Sequence, residues 1–161
     1  MKNIVKALIF LTSLVVFVSC DEGGDPDPGV TSVVEMSGDW FVQTFVGGDM
    51  VADYARISTY NTAADDGTEI WVDDHSNIWG FKVKSPINLT GLTFSGAALE
   101  SDLVDVITVN ITNGIIIKDG ATTSGGNTAD SISFEAEFSD DPGTTYMLIG
   151  YKRNGLLEDE H

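Results

Sequence analysis

Residues 131–138 read Ser-Ile-Ser-Phe-Glu-Ala-Glu-Phe, with Ile132, Phe134, Ala136 and Phe138 at every second position and Ser133, Glu135 and Glu137 between them. A period of two puts one apolar face of a strand against a core and leaves the other face to water. Shorter versions of the pattern recur from Met36 onward, each broken by Gly, Asn or Asp, and no helical repeat of ten or more residues interrupts them. Many short strands with frequent turn signals predict an antiparallel sandwich or barrel. At 161 residues, less a leader, the chain suits one domain with a single core.

In chain order, residues 39–46 carry Trp40, Val42 and Val46 on one face and Phe41 and Phe45 on the other, the pattern of a strand covered on both sides. Gly47-Gly48-Asp49 turns the chain into a mixed strand at 54–61, and a loop at 63–67 leads into 68–73. Residues 78–84 alternate Trp79, Phe81 and Val83 against Lys82 and Lys84, and Pro86 is expected to end that strand. Residues 92–99 form a weaker strand with Gly96 inside. Asn113-Gly114, between the runs 105–111 and 115–117, predicts a type I′ hairpin, because both residues tolerate positive φ. The stretch 119–128 reads as an open loop, Asp141-Pro142-Gly143 as the turn into the closing run 146–153, and 156–161 as an acidic tail. The total is eight to nine strands, a size at which a barrel is filled by side chains or holds one small ligand.

Gly38-Asp39-Trp40 at the head of the first run and Arg153 in the last resemble the ends of calycin barrels, where a basic side chain from the final strand covers an indole at the closed end. The resemblance implies an all-β, single antiparallel up-and-down barrel of calycin or lipocalin type. It implies Arg153 over Trp40, with Lys152 as the alternative, a cation–π contact contributing about 0.5 to 2 kcal/mol.

Residues 1–19 hold Lys2 and Lys6, then an apolar run from Ala7 to Val18, then Ser19. This is the build of a secretory signal, too short to be kept as a membrane span. Phe17-Val18-Ser19-Cys20 resembles the lipobox of bacterial lipoproteins, with Phe17 where Leu or Val is usual, so Cys20 is expected to be acylated and to become the mature N-terminus. Stable anchoring needs more than one acyl chain. Residues 20–35 are then an acidic tether, whose DEGGDPDPG stretch cannot bury enough apolar area to fold, and 36–161 the barrel domain. The acidic residues behind Cys20 also resemble surface-export signals of Bacteroidetes lipoproteins. The expected location is the cell envelope, lipid-anchored to the outer membrane, on its periplasmic or its surface side.

Formal net charge is −17, and loss of the leader removes two of the eight basic residues and none of the 25 acidic ones. Nucleic acid is excluded as a partner on that balance. Cys20 is the one cysteine, which excludes an internal disulfide and a cysteine-built metal site. No cofactor is implied.

Ala55 to Ala63 (ARISTYNTA), Ala129 to Glu135 (ADSISFE) and Gly150 to Leu156 (GYKRNGL) resemble a family of Bacteroidetes lipoproteins, the lipid-binding putative hydrolases of calycin-like fold, over most of residues 36–160. The family's final motif carries two arginines followed by threonine and glycine, and here Lys152 and Asn154 replace two of those positions. The resemblance implies a hydrophobic or lipid-like ligand and fixes no catalytic set.

The apolar set expected inside the barrel, and hence against such a ligand, is Phe45, Ile57, Trp71, Trp79, Phe81, Phe94, Phe134, Phe138 and Met147. These side chains either line a cavity or fill the barrel, and sequence alone leaves both open. For catalysis the candidates are His75 with Asp73 and Asp74 beside it; the alternative is a solvated polar turn, and the chain has no Gly-x-Ser-x-Gly elbow. Carboxylates at Asp65, Asp66, Glu69, Asp73 and Asp74 lack the loop spacing of a calcium site, so no metal is expected. Asp130 opens the cleanest strand and is expected to cap a turn or to pair with a basic residue such as Arg56. Three functions fit: a binder of a small hydrophobic or lipid-like molecule without chemistry, a hydrolase of a lipid-like substrate, and a subunit that contacts another envelope protein and holds no ligand.

Overall fold

The alternating runs close into a barrel in which each strand pairs with its chain neighbours and the last returns to the first. A computed structural model describes residues 29–103 and 107–161; the leader, Cys20 and most of the tether lie outside the described residues. The strands are β1 (Gly38–Val46), β2 (Asp49–Asn61), β3 (Glu69–Asp73), β4 (Lys82–Asn88), β5 (Thr93–Glu100), β6 (Thr108–Thr122), β7 (Thr128–Phe138) and β8 (Tyr146–Lys152). All pairings are antiparallel. The expected all-β, up-and-down barrel is what forms, with eight strands.

The count is eight because Asn113-Gly114 does not turn the chain. Asn113 takes a positive φ of 55°, but as part of a bulge that shifts the β6–β7 register between Thr112 and Ile115. A Cβ at Gly114 would strike the Phe94 carbonyl and ring, so glycine permits β5 to approach there. Both β-branched runs therefore stay in β6, and the loop expected over 119–128 shrinks to a tight turn in which Thr123 N–H donates to the Asn127 carbonyl at 2.8 Å. β4 also departs from expectation, since it begins at Lys82, leaves Trp79 in the preceding loop and runs through Pro86. Pro86 is in register with Glu69 of β3, whereas β4 meets β5 only at Ile87 with Phe94 and Asn88 with Thr93. The missing proline N–H thus falls outside the β4–β5 ladder.

The core is closely packed. Trp40, Val42, Ile57, Val72, Phe81, Val83, Ile111, Phe134 and Leu148 expose no surface, so no water-sized space touches them from outside or from a void within. The Trp40 indole N–H donates to Thr59 Oγ1 at 2.8 Å, and that hydroxyl donates in turn to the Met36 carbonyl at 2.5 Å.

The cation over Trp40 is Lys152, with Nζ 5.7 Å from the ring centroid, and not Arg153. Register explains the correction: Lys152 is paired with Trp40 across the β1–β8 seam and shares its face, so the next residue faces the other way. Arg153 bonds Glu160 instead, Nε to Oε1 at 2.7 Å, with Asp39 at 4.0 Å. Asp130 pairs with Lys118 at 3.1 Å and stands 3.9 Å from Lys152, so its cation is not Arg56. The acidic tail is folded: a 3₁₀ turn at Leu157–Asp159 buries the Asp159 carboxylate against Gly125 N–H, Asn127 and Asn154.

Candidate functional site

Of the nine side chains expected to face inward, Ile57, Phe81, Phe94, Phe134 and Phe138 do, and they fill the barrel. Phe45 and Met147 face outward, in register with one another across β1 and β8. Their strands bury the other parity, Trp40, Val42 and Thr44 in β1 and Leu148 in β8. Trp71, between the buried Ile70 and Val72, is on the outer face as well, with Lys82 Nζ and Lys84 Nζ 4.8 and 4.9 Å from its ring. Trp79 leaves the strand pattern, stacks on Phe138 with centroids 4.5 Å apart and donates its indole N–H to Asp140 at 3.0 Å. Trp71 and Met147 have apolar neighbours on both sides and carry no parity signal, and in β1 the inward place beside Phe45 is taken by the polar Thr44, which is why sequence misassigned all three.

Outside the barrel, Phe45, Met147 and Ile149 with Gly47, Gly48, Glu135 and Thr145 bound a groove of about 450 Å³. Met50 lies in register beside Phe45 and is 54% exposed, and Ile149 is 45% exposed. A second cleft, about 470 Å³, lies further along the outer face between Phe41, Tyr54, Arg56, Asn77, Arg153 and His161.

Beside the second cleft runs a polar row. Asp39 of β1, Ser58 of β2 and Asp73 of β3 are cross-strand neighbours, so their side chains emerge side by side. His75, held at a left-handed φ of 51°, swings its ring back over the row. Its Nε2 lies 2.6 Å from Ser58 Oγ and its Nδ1 3.6 Å from Asp73 Oδ1. Asp73 also accepts the His75 backbone N–H at 2.9 Å and the Tyr60 hydroxyl at 2.8 Å, while Ser58 makes a short hydrogen bond to Asp39.

Among the catalytic candidates, His75 and Asp73 therefore meet. Asp74 does not join them: it is fully buried and its two oxygens accept the backbone N–H groups of Ser76, Ile78, Trp79, Gly80 and Phe81. Ser58 and Asp39 escaped sequence reasoning, since nothing but strand register links Ser58 to a histidine 17 residues away.

The model of the lipid-binding putative hydrolase family matches residues 25–157. The chain belongs to that family. In this family member the barrel interior is packed, and apolar space open to a ligand lies on the outer face at Phe45 and Met147 and, at about 530 Å³, in a cleft between Ile78, Trp79, Leu103 and Ile107 beside Asp140. No curated protein matches the chain.

Proposed function

We propose that this protein is a cell-envelope lipoprotein, acylated at Cys20 and held on a tether that gives way to the folded unit at Thr31, with Val33 already in the core, and that it binds a lipid-like molecule on the outside of its barrel. The observation that carries the reading is the Phe45–Met147–Ile149 groove with Met50 beside it, in a member of a lipid-binding family. A contiguous apolar patch on a soluble surface marks an interaction site, and methionines adapt to flexible chains. Each Å² of apolar surface covered there contributes about 25 cal/mol. The site moves outward from the cavity expected of a barrel because the core side chains leave no room within.

Native mass spectrometry of the chain from residue 21, purified from its host, tests the binding. A co-purifying acyl compound lost in Met147→Glu supports the reading; a bare protein that also ignores a fluorescent fatty-acid probe refutes it and assigns the groove to an envelope protein partner. Labelled palmitate incorporation into the full chain, absent in Cys20→Ala, tests the anchor.

A second reading, hydrolysis of a lipid-like ester, is favoured by the 2.6 Å contact between Ser58 Oγ and His75 Nε2. Proton bookkeeping weighs against it. The Ser58 hydroxyl donates to Asp39, so its hydrogen points away from His75 Nε2, the reverse of what a general base needs. Covalent labelling by a fluorophosphonate, lost in Ser58→Ala, would establish this reading over the first.

A further inference from the structure

We propose that the open edge of β2, Asp49–Asp53, takes up an extended segment of another protein as an added strand, one whose apolar residues are flanked by lysine or arginine. This interaction surface goes beyond the lipid-binding reading and does not depend on it.

Strand pairing leaves the edge bare. β2 runs for 13 residues, but β3 meets it only from Ser58 to Asn61, so residues 49–57 have β1 on one side and no strand on the other. The part of that length nearer β3 is capped by side chains: Asn77 Nδ2 donates to the Arg56 carbonyl at 2.7 Å, and Tyr54 N–H donates to Asp53 Oδ1 at 2.8 Å. From Asp49 to Asp53, among the described residues, no bond outside the β1 ladder reaches the main chain. All five residues are exposed, Met50 at 54% and Val51 at 56%, so both faces of the strand meet water as well as its edge. Unpaired main-chain groups beside exposed apolar side chains are a template for another strand.

Charge decides the occupant. Asp49 and Asp53 stand at the two ends of Met50-Val51-Ala52, and among the described residues neither has a cation within ion-pair distance. A strand laid along this edge sets residues of its own opposite both carboxylates, so it is favoured when it carries cations at two positions four apart. A second copy of the chain fails that condition. Two-fold antiparallel pairing centred on Val51 places Asp49 of each copy opposite Asp53 of the other, and like charges directly opposite repel. The net charge of −17 opposes the same encounter and favours a basic partner. Two bulges filter further, since β2 steps from Ala55 to Ala52 while β1 steps from Val42 to Thr44, and again from Ala52 to Met50 against Thr44 to Phe45. Each gives β2 one residue in excess and twists its edge, which suits a short partner strand and not a long flat one.

NMR titration of the soluble chain from residue 21, which retains the compact unit Thr31–His161, tests the surface. The probes are capped synthetic peptides at millimolar concentration and low salt: Lys-Val-Thr-Val-Lys, its counterpart Glu-Val-Thr-Val-Glu, and Lys-Val-Pro-Val-Lys. The first should shift the Asp49–Asp53 amides, slow their exchange, and bind about fivefold to tenfold tighter than the second, the difference between two exposed attractive pairs and two repulsive ones. The proline peptide keeps the charges, loses a main-chain donor and should bind much more weakly. Asp49→Lys combined with Asp53→Lys should reverse the preference between the lysine and glutamate peptides; unfolding curves verify that this variant is folded. Absence of shifts at Asp49–Asp53, or equal binding of the lysine peptide and either of the others, would overturn the proposal. Protection of the same amides that rises with the concentration of the protein alone would overturn it too, in favour of a second copy. None of these results decides lipid uptake at Phe45 and Met147, which the fatty-acid probe reads separately.

Discussion

Asp74 holds the Phe81 backbone N–H at 2.9 Å across the loop that joins β3 to β4, from a carboxylate with no exposed surface. The same group accepts from Ser76, Ile78, Trp79 and Gly80, and so winds the loop around itself. Positive φ at His75, Ser76 and Gly80 is sustained by those bonds. Asp74→Ala should strand the buried Phe81 N–H and four partly buried donors and destabilise the protein by about 3 kcal/mol or more, read by urea unfolding. Asp73→Asn, at a carboxylate that organises far less backbone, should cost much less.

Lys152 closes the barrel end over Trp40. Lys152→Met should lower stability by about 0.5 to 2 kcal/mol, and Arg153→Met by less than about 1 kcal/mol, because Arg153 makes partly exposed ion pairs. Thermal unfolding of the two variants side by side checks the order.

That pair shows what the sequence made legible. Ile132, Phe134, Ala136 and Phe138 alternate cleanly with polar residues, and all four are buried as expected. Such strands announce both their type and their facing, and enough of them announce a barrel. Lys152 and Arg153 differ by one residue, and which one meets Trp40 is settled by β1–β8 register, a contact between the two ends of the chain that no local pattern carries. Asn113-Gly114 failed for a related reason: positive φ suits a bulge as well as a turn, and only the β5 and β7 neighbours decide between them. The row of Asp39, Ser58 and Asp73 was illegible for the same cause.

Gly150 should tolerate no side chain. A Cβ there would collide with the Phe41 carbonyl of the neighbouring strand, so Gly150→Ala must push β8 from β1. A loss of about 2 kcal/mol or more is expected, with faster amide exchange confined to β1 and β8.

Asp159 makes docking of the C-terminal segment acid-sensitive in a definite direction. Burial would raise its pKa, but hydrogen bonds from Thr123, Asn154, Asn127 and Gly125 N–H outweigh that and hold it well below its ordinary 3.8. Its contribution is therefore complete above that ordinary value and lost as pH falls below it toward the folded pKa. Asp159→Asn should release residues 156–161 from the barrel already at neutral pH, whereas the wild-type segment should stay docked there and loosen only in strong acid, read from the NMR line widths of that segment.

Tyr146 donates to Asp141 at 2.7 Å, and that bond, ahead of burial and the nearby Asp140, pushes its pKa up to about 12. Ultraviolet titration should show one phenol fewer ionising near pH 10 than in Asp141→Asn, in which the bond to a charged acceptor is gone.

The seam between β1 and β8 couples completeness to solubility. A nascent chain that has made every strand but the last holds two bare ladder edges, each able to pair with another molecule. Only when Tyr146–Lys152 docks against Gly38–Val46 do both edges vanish at once. A product truncated before Tyr146 is thus a self-associating species, because both ladder edges stay bare until the strand Tyr146–Lys152 bridges them.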